Sequence, residues 1–296
     1  MIRPFEYIAP GDLERALAAL SERAPDAKVL AGGTDLLLEM RRPGVVTPRV
    51  VVDIGLLNEL RGIAEINGSV VVGPLVTHAE TSSSPSIRRY ANLLSAAASA
   101  VGSPQVRNRG TIGGNVMNAA PCADTVPPLI ALGARVTLRS AGGSREVDVA
   151  DFFVKPYVTV ALPDELLTEI RFPKLPPGTR SSFVKLGRRN AVAIARLSVA
   201  AVLAQDKRGM IIDARVVPGS AFPIWRRVGE AERLLIGEKP SAELFSLSGR
   251  IASEAMVAAT GRRWSTEYKE RVLPVLVRRA LESCLPVHKV EEGRPG

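Results

Sequence analysis

Thr111-Ile112-Gly113-Gly114-Asn115-Val116-Met117-Asn118-Ala119-Ala120-Pro121-Cys122-Ala123-Asp124 is the stretch from which this chain is best read. Glycines, small residues and amide side chains crowd it. That composition favours neither helix nor strand and predicts a loop whose backbone can approach a ligand closely. Upstream, Leu30-Ala31-Gly32-Gly33-Thr34-Asp35 has the same character. Lys28-Val29-Leu30-Ala31 reads as a strand that Gly32-Gly33 end, and Thr34 or Asp35 starts a helix carrying Leu36, Leu37 and Met40 up to Pro43-Gly44. With a β-branched strand over 49–54, this makes a small β-α-β unit whose glycines sit where backbone N–H groups suit an anion. The spacing is neither G-x-G-x-x-G nor a P-loop with its lysine, so this loop alone reads first as a tight strand-to-helix turn with no ligand.

Outward from the two loops, Pro10-Gly11-Asp12 opens a helix with Leu13, Ala16, Leu17 and Leu20 at helical spacing. Asn67-Gly68 predicts a hairpin within 60–73. Thr77-His78-Ala79-Glu80 starts a short helix, and 84–98 reads as one longer helix capped by Ser84. A helix over 125–132 takes Pro127 and Pro128 in its first turn. Strands follow at 135–139, 145–149 and 166–172. Lys174-Leu175-Pro176-Pro177-Gly178 reads as a linker. Beyond it, 181–186, 193–205 and 211–217 predict an antiparallel sheet, and 227–235, 241–259 and 266–284 predict helices. The expected fold class is α+β. An N-terminal domain spans 1–173, with subdomains of about 1–55 and 56–173. A C-terminal α+β domain of sheet and helices spans 174–290, and 291–296 form a polar tail.

The 296 residues, 46% of them hydrophobic, suffice for two cores. No apolar run is long enough for a bilayer, and Met1-Ile2-Arg3-Pro4-Phe5-Glu6-Tyr7 lacks a signal-peptide pattern, so a cytoplasmic protein is expected. Two cysteines, Cys122 and Cys284, and two histidines, His78 and His288, form no metal-ligand pattern, so any metal chemistry belongs on another chain. The net charge of +9 is confined to the C-terminal part, where residues 174–296 hold 22 basic against 12 acidic side chains. Such a field suits a phosphorylated ligand or an acidic partner. Basic residues scattered in pairs, with few aromatics, argue against nucleic acid.

Two backbone-rich loops suit an extended diphosphate, with Thr34, Thr111 and Asn115 adding side-chain hydrogen bonds. A carboxylate beside a diphosphate is repelled, so Asp35 and Asp124 would take sugar or ribityl hydroxyls, or cap helices. His78 reads as a capping or packing residue and Cys122 as a small buried one.

Together these runs resemble the FAD-binding subunit of the molybdenum hydroxylases, the xanthine dehydrogenase and carbon monoxide dehydrogenase medium-chain family. The likeness extends through Gly73-Pro74-Leu75-Val76-Thr77-His78-Ala79-Glu80, Leu167-Thr168-Glu169-Ile170-Arg171-Phe172-Pro173, Phe183-Val184-Lys185-Leu186-Gly187-Arg188-Arg189 and Ile194-Ala195. The resemblance implies a PCMH-type, vanillyl-alcohol oxidase-like fold, with FAD between two subdomains and a C-terminal domain closing the site. It implies that Val29, Leu30, Ala31, Gly32, Gly33, Thr34, Asp35 and Leu36, with Thr111, Ile112, Gly113, Gly114 and Asn115, line the diphosphate and ribityl chain. It also implies that Asp124 binds FAD and that Val101, Leu167 and Lys185 flank the adenine or isoalloxazine. Val101 stands where some members carry an aromatic, and the four-cysteine cluster of other members has no counterpart. By the same resemblance, electrons come from a molybdenum cofactor on a large subunit through [2Fe-2S] clusters on a small one and leave to NAD+ or another acceptor. Lys185 would stabilise reduced flavin or serve as an ion-pair partner. Two alternatives stay open: a stand-alone FAD/NAD(P)H reductase on the same scaffold, and a flavin-free nucleotide-binding scaffold subunit.

Overall fold

A computed structural model describes residues 4–45, 47–187 and 194–286. The expected tail at 291–296, the last residues of the expected C-terminal domain, and Arg188-Arg189 of the matched run lie outside them.

The first fifty residues form a parallel three-stranded sheet. Strand β1 (Glu6–Ile8), helix α1 (Leu13–Arg23), β2 (Ala27–Leu30), α2 (Leu36–Met40) and β3 (Val50–Asp53) follow in order, and the sheet runs β1-β3-β2. Asp12 starts α1 by accepting the Arg15 N–H at 2.8 Å, and Leu13, Ala16, Leu17 and Leu20 pack inward. Val50, Val51 and Val52 are all buried, as a central parallel strand requires. The expected β-α-β unit is present, although Asp35 caps α2 with no side-chain hydrogen bond.

The next part carries a hairpin of β4 (Ile63–Ile66) and β5 (Ser69–Val72), turned by Asn67 and Gly68, both at positive φ. Helices α3 (His78–Ser83), α4 (Pro85–Tyr90), α5 (Asn92–Ser99), α6 (Pro104–Arg107), α7 (Ile112–Asn118) and α8 (Val126–Ala131) come next. Then follow β6 (Arg135–Ser140), β7 (Gly143–Asp148), the small ribbon β8 (Phe153–Lys155) and β9 (Val158–Thr159), and β10 (Leu166–Pro173). The main sheet is antiparallel, in the order β4-β5-β10-β6-β7.

Two expectations need correction here. The single helix expected over 84–98 is broken at Ala91, whose φ of −150° and ψ of 51° leave the helical region. The break lets Ile87 before it and Leu93 and Leu94 after it all enter one core. The stretch expected to be a loop begins with helix α7. Thr111 caps it by accepting the Gly114 N–H at 3.0 Å, and burial of Ile112 and Val116 outweighs the poor propensity of two glycines. The helix stops after seven residues at Ala119, which is left-handed.

The C-terminal part holds β11 (Arg180–Gly187), β12 (Ala195–Gln205), β13 (Ile211–Gly219), α9 (Gly229–Leu235), α10 (Ala242–Thr260) and α11 (Thr266–Glu282). Its antiparallel sheet, β11-β12-β13, is covered on both faces. Leu197, Val199, Ala201 and Leu203 face the core that α10 and α11 complete, where Gly249 lets the Pro274 backbone approach closely. Ala200 and Val202, one residue out of phase, join Val217 in the core of the preceding part. The apolar core is therefore continuous across 174–178.

Candidate functional site

The two glycine loops touch. Gly32 is pressed so closely against the Arg109 carbonyl that a Cβ there would stand 2.0 Å from its oxygen and 3.0 Å from the Gly110 Cα. A Cβ on Gly110 would in turn stand 3.3 Å from the Thr34 hydroxyl and 3.2 Å from His78 Cδ2. The second loop is seated on a third segment: His78 N–H donates to the Gly110 carbonyl at 3.0 Å, Ile112 N–H to Val76 at 2.9 Å and Gly113 N–H to Pro74 at 3.0 Å. Strand end 27–30, turn 31–35 and helix start 111–115 thus form one wall.

The two glycines of α7 differ. A Cβ on Gly113 would collide with Pro74 at 2.4 Å, so that glycine is needed by the packing. At Gly114 a Cβ would meet, outside the helix's own backbone and among the described residues, just the Thr111 hydroxyl at 2.9 Å, so apart from that capping group this face of the helix is uncovered. This is a cradle that a side chain would fill. Thr111 Oγ1 already accepts the Gly114 N–H, which leaves its own hydrogen to donate. Asn115 Oδ1 accepts from Thr125 Oγ1 at 2.7 Å, which leaves its NH2 free to donate.

On another side, the second and C-terminal parts meet at a buried ion pair. Lys185 Nζ on β11 donates to Asp124 Oδ2 at 2.6 Å and to the Ala100 carbonyl, next to Val101, at 2.8 Å. Asp124 Oδ1 has no partner among the described residues. Burial pushes the Asp124 carboxyl up to about 6, with the charge and hydrogen bond of Lys185 pulling it back. Asp124 therefore caps no helix. The half-buried Cys122 thiol is raised by burial and then by Asp124, with Asp35 adding and Lys185 opposing. Asp35 is open to solvent but crowded by its loop; that crowding, then Glu39, raises its carboxyl while Arg42 opposes.

Not every candidate presents a side chain to this space. Ile112 and Leu167 are core residues, so only their backbone can face a ligand. Val29, Leu30, Ala31, Leu36 and Val101 are half-buried. His78 does not cap its helix, because Thr77 and Glu80 do so reciprocally. Its ring is buried, its Nδ1 has no partner among the described residues, and burial followed by Arg107 lowers it to about 4. Arg109, Gly110 and Ala100 are not legible as site residues in the sequence because they act through backbone atoms. Gly110, directly before Thr111, carried the only signal.

A family model described as the FAD binding domain in molybdopterin dehydrogenase matches residues 3–175, more than half of the chain. The chain belongs to that family. A second model, the CO dehydrogenase flavoprotein C-terminal domain, matches residues 182–284 of this flavoprotein. The carbon monoxide dehydrogenase medium chain of Hydrogenophaga pseudoflava is 33% identical over 96% of this chain and 98% of its own. The alpha subunit of the 6-hydroxypseudooxynicotine dehydrogenase complex of Paenarthrobacter nicotinovorans is 31% identical over 95% and 94%. A solved carbon monoxide dehydrogenase from H. pseudoflava superposes with a TM-score of 0.89 at 32% identity, covering 96% of this chain and 98% of that one. The flavoprotein is thus an FAD-binding oxidoreductase subunit of the molybdenum hydroxylase family. Its α+β architecture is the one expected. Among the described residues, no helix is long and apolar enough to cross a membrane, and no cluster of His, Cys, Asp or Glu suits a metal ion.

Proposed function

We propose that the flavoprotein takes electrons from the [2Fe-2S] clusters of a small partner subunit, downstream of a molybdopterin-binding large subunit, and passes them to NAD+ or another acceptor in the cytoplasm. Bound FAD supplies the chemistry, because a flavin joins one-electron carriers to a two-electron acceptor. The observation that carries this reading is the closure of 31–35 onto 109–115, with Gly114 bordered on its outer face by the Thr111 hydroxyl alone among the described side chains. In it, the N–H groups of Ala31–Asp35 and the side chains of Thr34, Thr111 and Asn115 hold the diphosphate and ribityl chain, while Ile112, Gly113 and Gly114, whose N–H groups are spent on Val76, Pro74 and Thr111, shape the wall with the backbone of Val29, Leu30 and Leu36. Asp124, through its unpartnered Oδ1, accepts a hydrogen bond from FAD. Lys185, fixed by Asp124 and Ala100, holds a positive charge where negative charge develops on reduction, with Val101 as an apolar flank and the backbone of Leu167 beside it. We further place the division between cofactor domain and C-terminal domain at 173/174, where β10 ends and the proline-rich connection begins.

The test is to purify the chain and measure its visible spectrum and flavin content, then its co-purification with chains that carry molybdenum and iron. One FAD per chain, reducible by the iron–sulfur subunit and reoxidised by NAD+ or another acceptor, is expected. A chain that takes up no FAD when FAD is added would overturn the reading.

A further inference from the structure

Among the described residues, four that are not glycine hold a left-handed backbone: Asn67, Ala119, Tyr157 and Ser220. Asn67 belongs to the hairpin turn, which demands that conformation. The other three converge on one segment, 119–124, which leads from α7 to Asp124. Ala119, at a φ of 49°, ends α7. The N–H of Tyr157, at 63°, donates to the Ala119 carbonyl at 3.0 Å. Ser220, at 56° and just beyond β13, donates from Oγ to the Pro121 carbonyl at 3.3 Å. Backbone in this region is costly for a residue with a Cβ and persists only where its surroundings hold it there.

Ser220 is held from a third direction. Lys269 on α11 donates from Nζ to the Ser220 carbonyl at 2.6 Å. The ammonium is half-buried, and burial, then Arg263, lowers its pKa. The Ser220 hydroxyl also has a second acceptor, the Ala195 carbonyl at the start of β12, at the same 3.3 Å. One proton shared between two carbonyls ties β12 to the segment that ends in Asp124. A glycine would satisfy this φ without strain. What glycine would lose is the hydroxyl.

We propose that Ser220, anchored by Lys269, is a positioning residue for the flavin: it clamps the C-terminal sheet onto 119–124 and so sets where Asp124 and Cys122 stand beside the cofactor. The clamp rests on the FAD reading above, and it acts through Pro121 rather than by touching FAD.

The decisive variants are Ser220→Gly, which removes hydroxyl and strain together, and Ser220→Ala, which removes the hydroxyl and keeps the strain. Each full-length chain is titrated with FAD, its bound-flavin visible circular dichroism is recorded, and its melting temperature without FAD is measured. Both variants should bind FAD about threefold to tenfold more weakly, the share of one neutral hydrogen bond. Their flavin circular dichroism should change, while Ser220→Gly melts no lower than wild type because its backbone is relaxed. Lys269→Met, which leaves Ser220 intact, should weaken binding in the same direction by a smaller factor. Wild-type affinity and an unchanged flavin spectrum in either folded Ser220 variant would overturn the clamp while leaving the FAD reading standing. Failure of the wild-type chain itself to bind FAD would remove that reading, and the clamp with it.

Discussion

The two Gly-Gly pairs look interchangeable in sequence, yet the fold uses them differently. In the first, both glycines are required by the chain itself. Gly32 lies against the Arg109 carbonyl, and Gly33 has a φ of 73° with Leu30 and Leu37 close by. In the second, Gly113 is required by Pro74, whereas Gly114 meets nothing but the Thr111 hydroxyl. Three of these glycines build the wall; the fourth leaves room in front of it. Identical dipeptides can therefore carry fold and function in different proportions, and substitutions should separate the two.

The largest expected effect is at Gly32. Gly32→Val must drive 31–35 away from 109–110, so it should cost about 3 kcal/mol in urea unfolding and abolish FAD binding as well. Gly113→Ala, which meets Pro74, should fall close behind. An unfolding midpoint unchanged in either would mean that the loops do not meet as described.

Of comparable size is a pH effect at the junction of the two loops. The His78 imidazole falls from 6.5 to about 4 in the fold, so the stability it contributes is full above pH 6.5 and is lost as pH drops toward 4, by about 3 kcal/mol. Asp124 runs the other way. Raised from 3.8 to about 6, it favours the fold most below pH 3.8, and that contribution is lost as pH rises through 6. The two nearly cancel between pH 4 and 6. Replacing His78 with Gln should unmask Asp124, so that the variant gains about 3 kcal/mol relative to wild type between pH 7 and pH 4. Parallel stability–pH curves for the two proteins would contradict a buried neutral His78.

A smaller effect is expected at Gly33. Gly33→Ala places a Cβ on a left-handed residue and should destabilise by about 1 kcal/mol, with FAD affinity reduced but measurable. Unaltered stability would show that the turn can rearrange.

Much of the architecture was legible because it rests on local signals. Asp12 before Leu13, Asn67-Gly68, and the apolar run along β12 each announce their element through chemistry that neighbours cannot easily override. The break at Ala91 was not legible, because an alanine-rich run has no local reason to leave the helix; the core it serves is assembled from distant segments. Helix α7 was hidden for the opposite reason. Its glycines predict a loop, and only the seating of Ile112 and Val116 in the core shows why the helix forms. At the site, the loops themselves were visible as composition. Their contact through Gly32 and Arg109 was not, nor was the Lys185–Asp124 pair, since sequence alone assigns no partner across sixty residues. Ser220 carried no signal at all, because a left-handed serine is evident only from its backbone angles.

The placement of FAD rests on the face of Gly114 that the Thr111 hydroxyl alone borders among the described side chains. Its most direct test is the flavin content of the Gly114→Val chain, set beside its urea unfolding curve. The valine enters the space assigned to the diphosphate and pushes the Thr111 hydroxyl off its capping bond, so stability should fall by about 1–2 kcal/mol, the share of one N-cap, leaving the chain folded, while FAD no longer binds. A Gly114→Val chain that folds and still holds one FAD per molecule would contradict the placement.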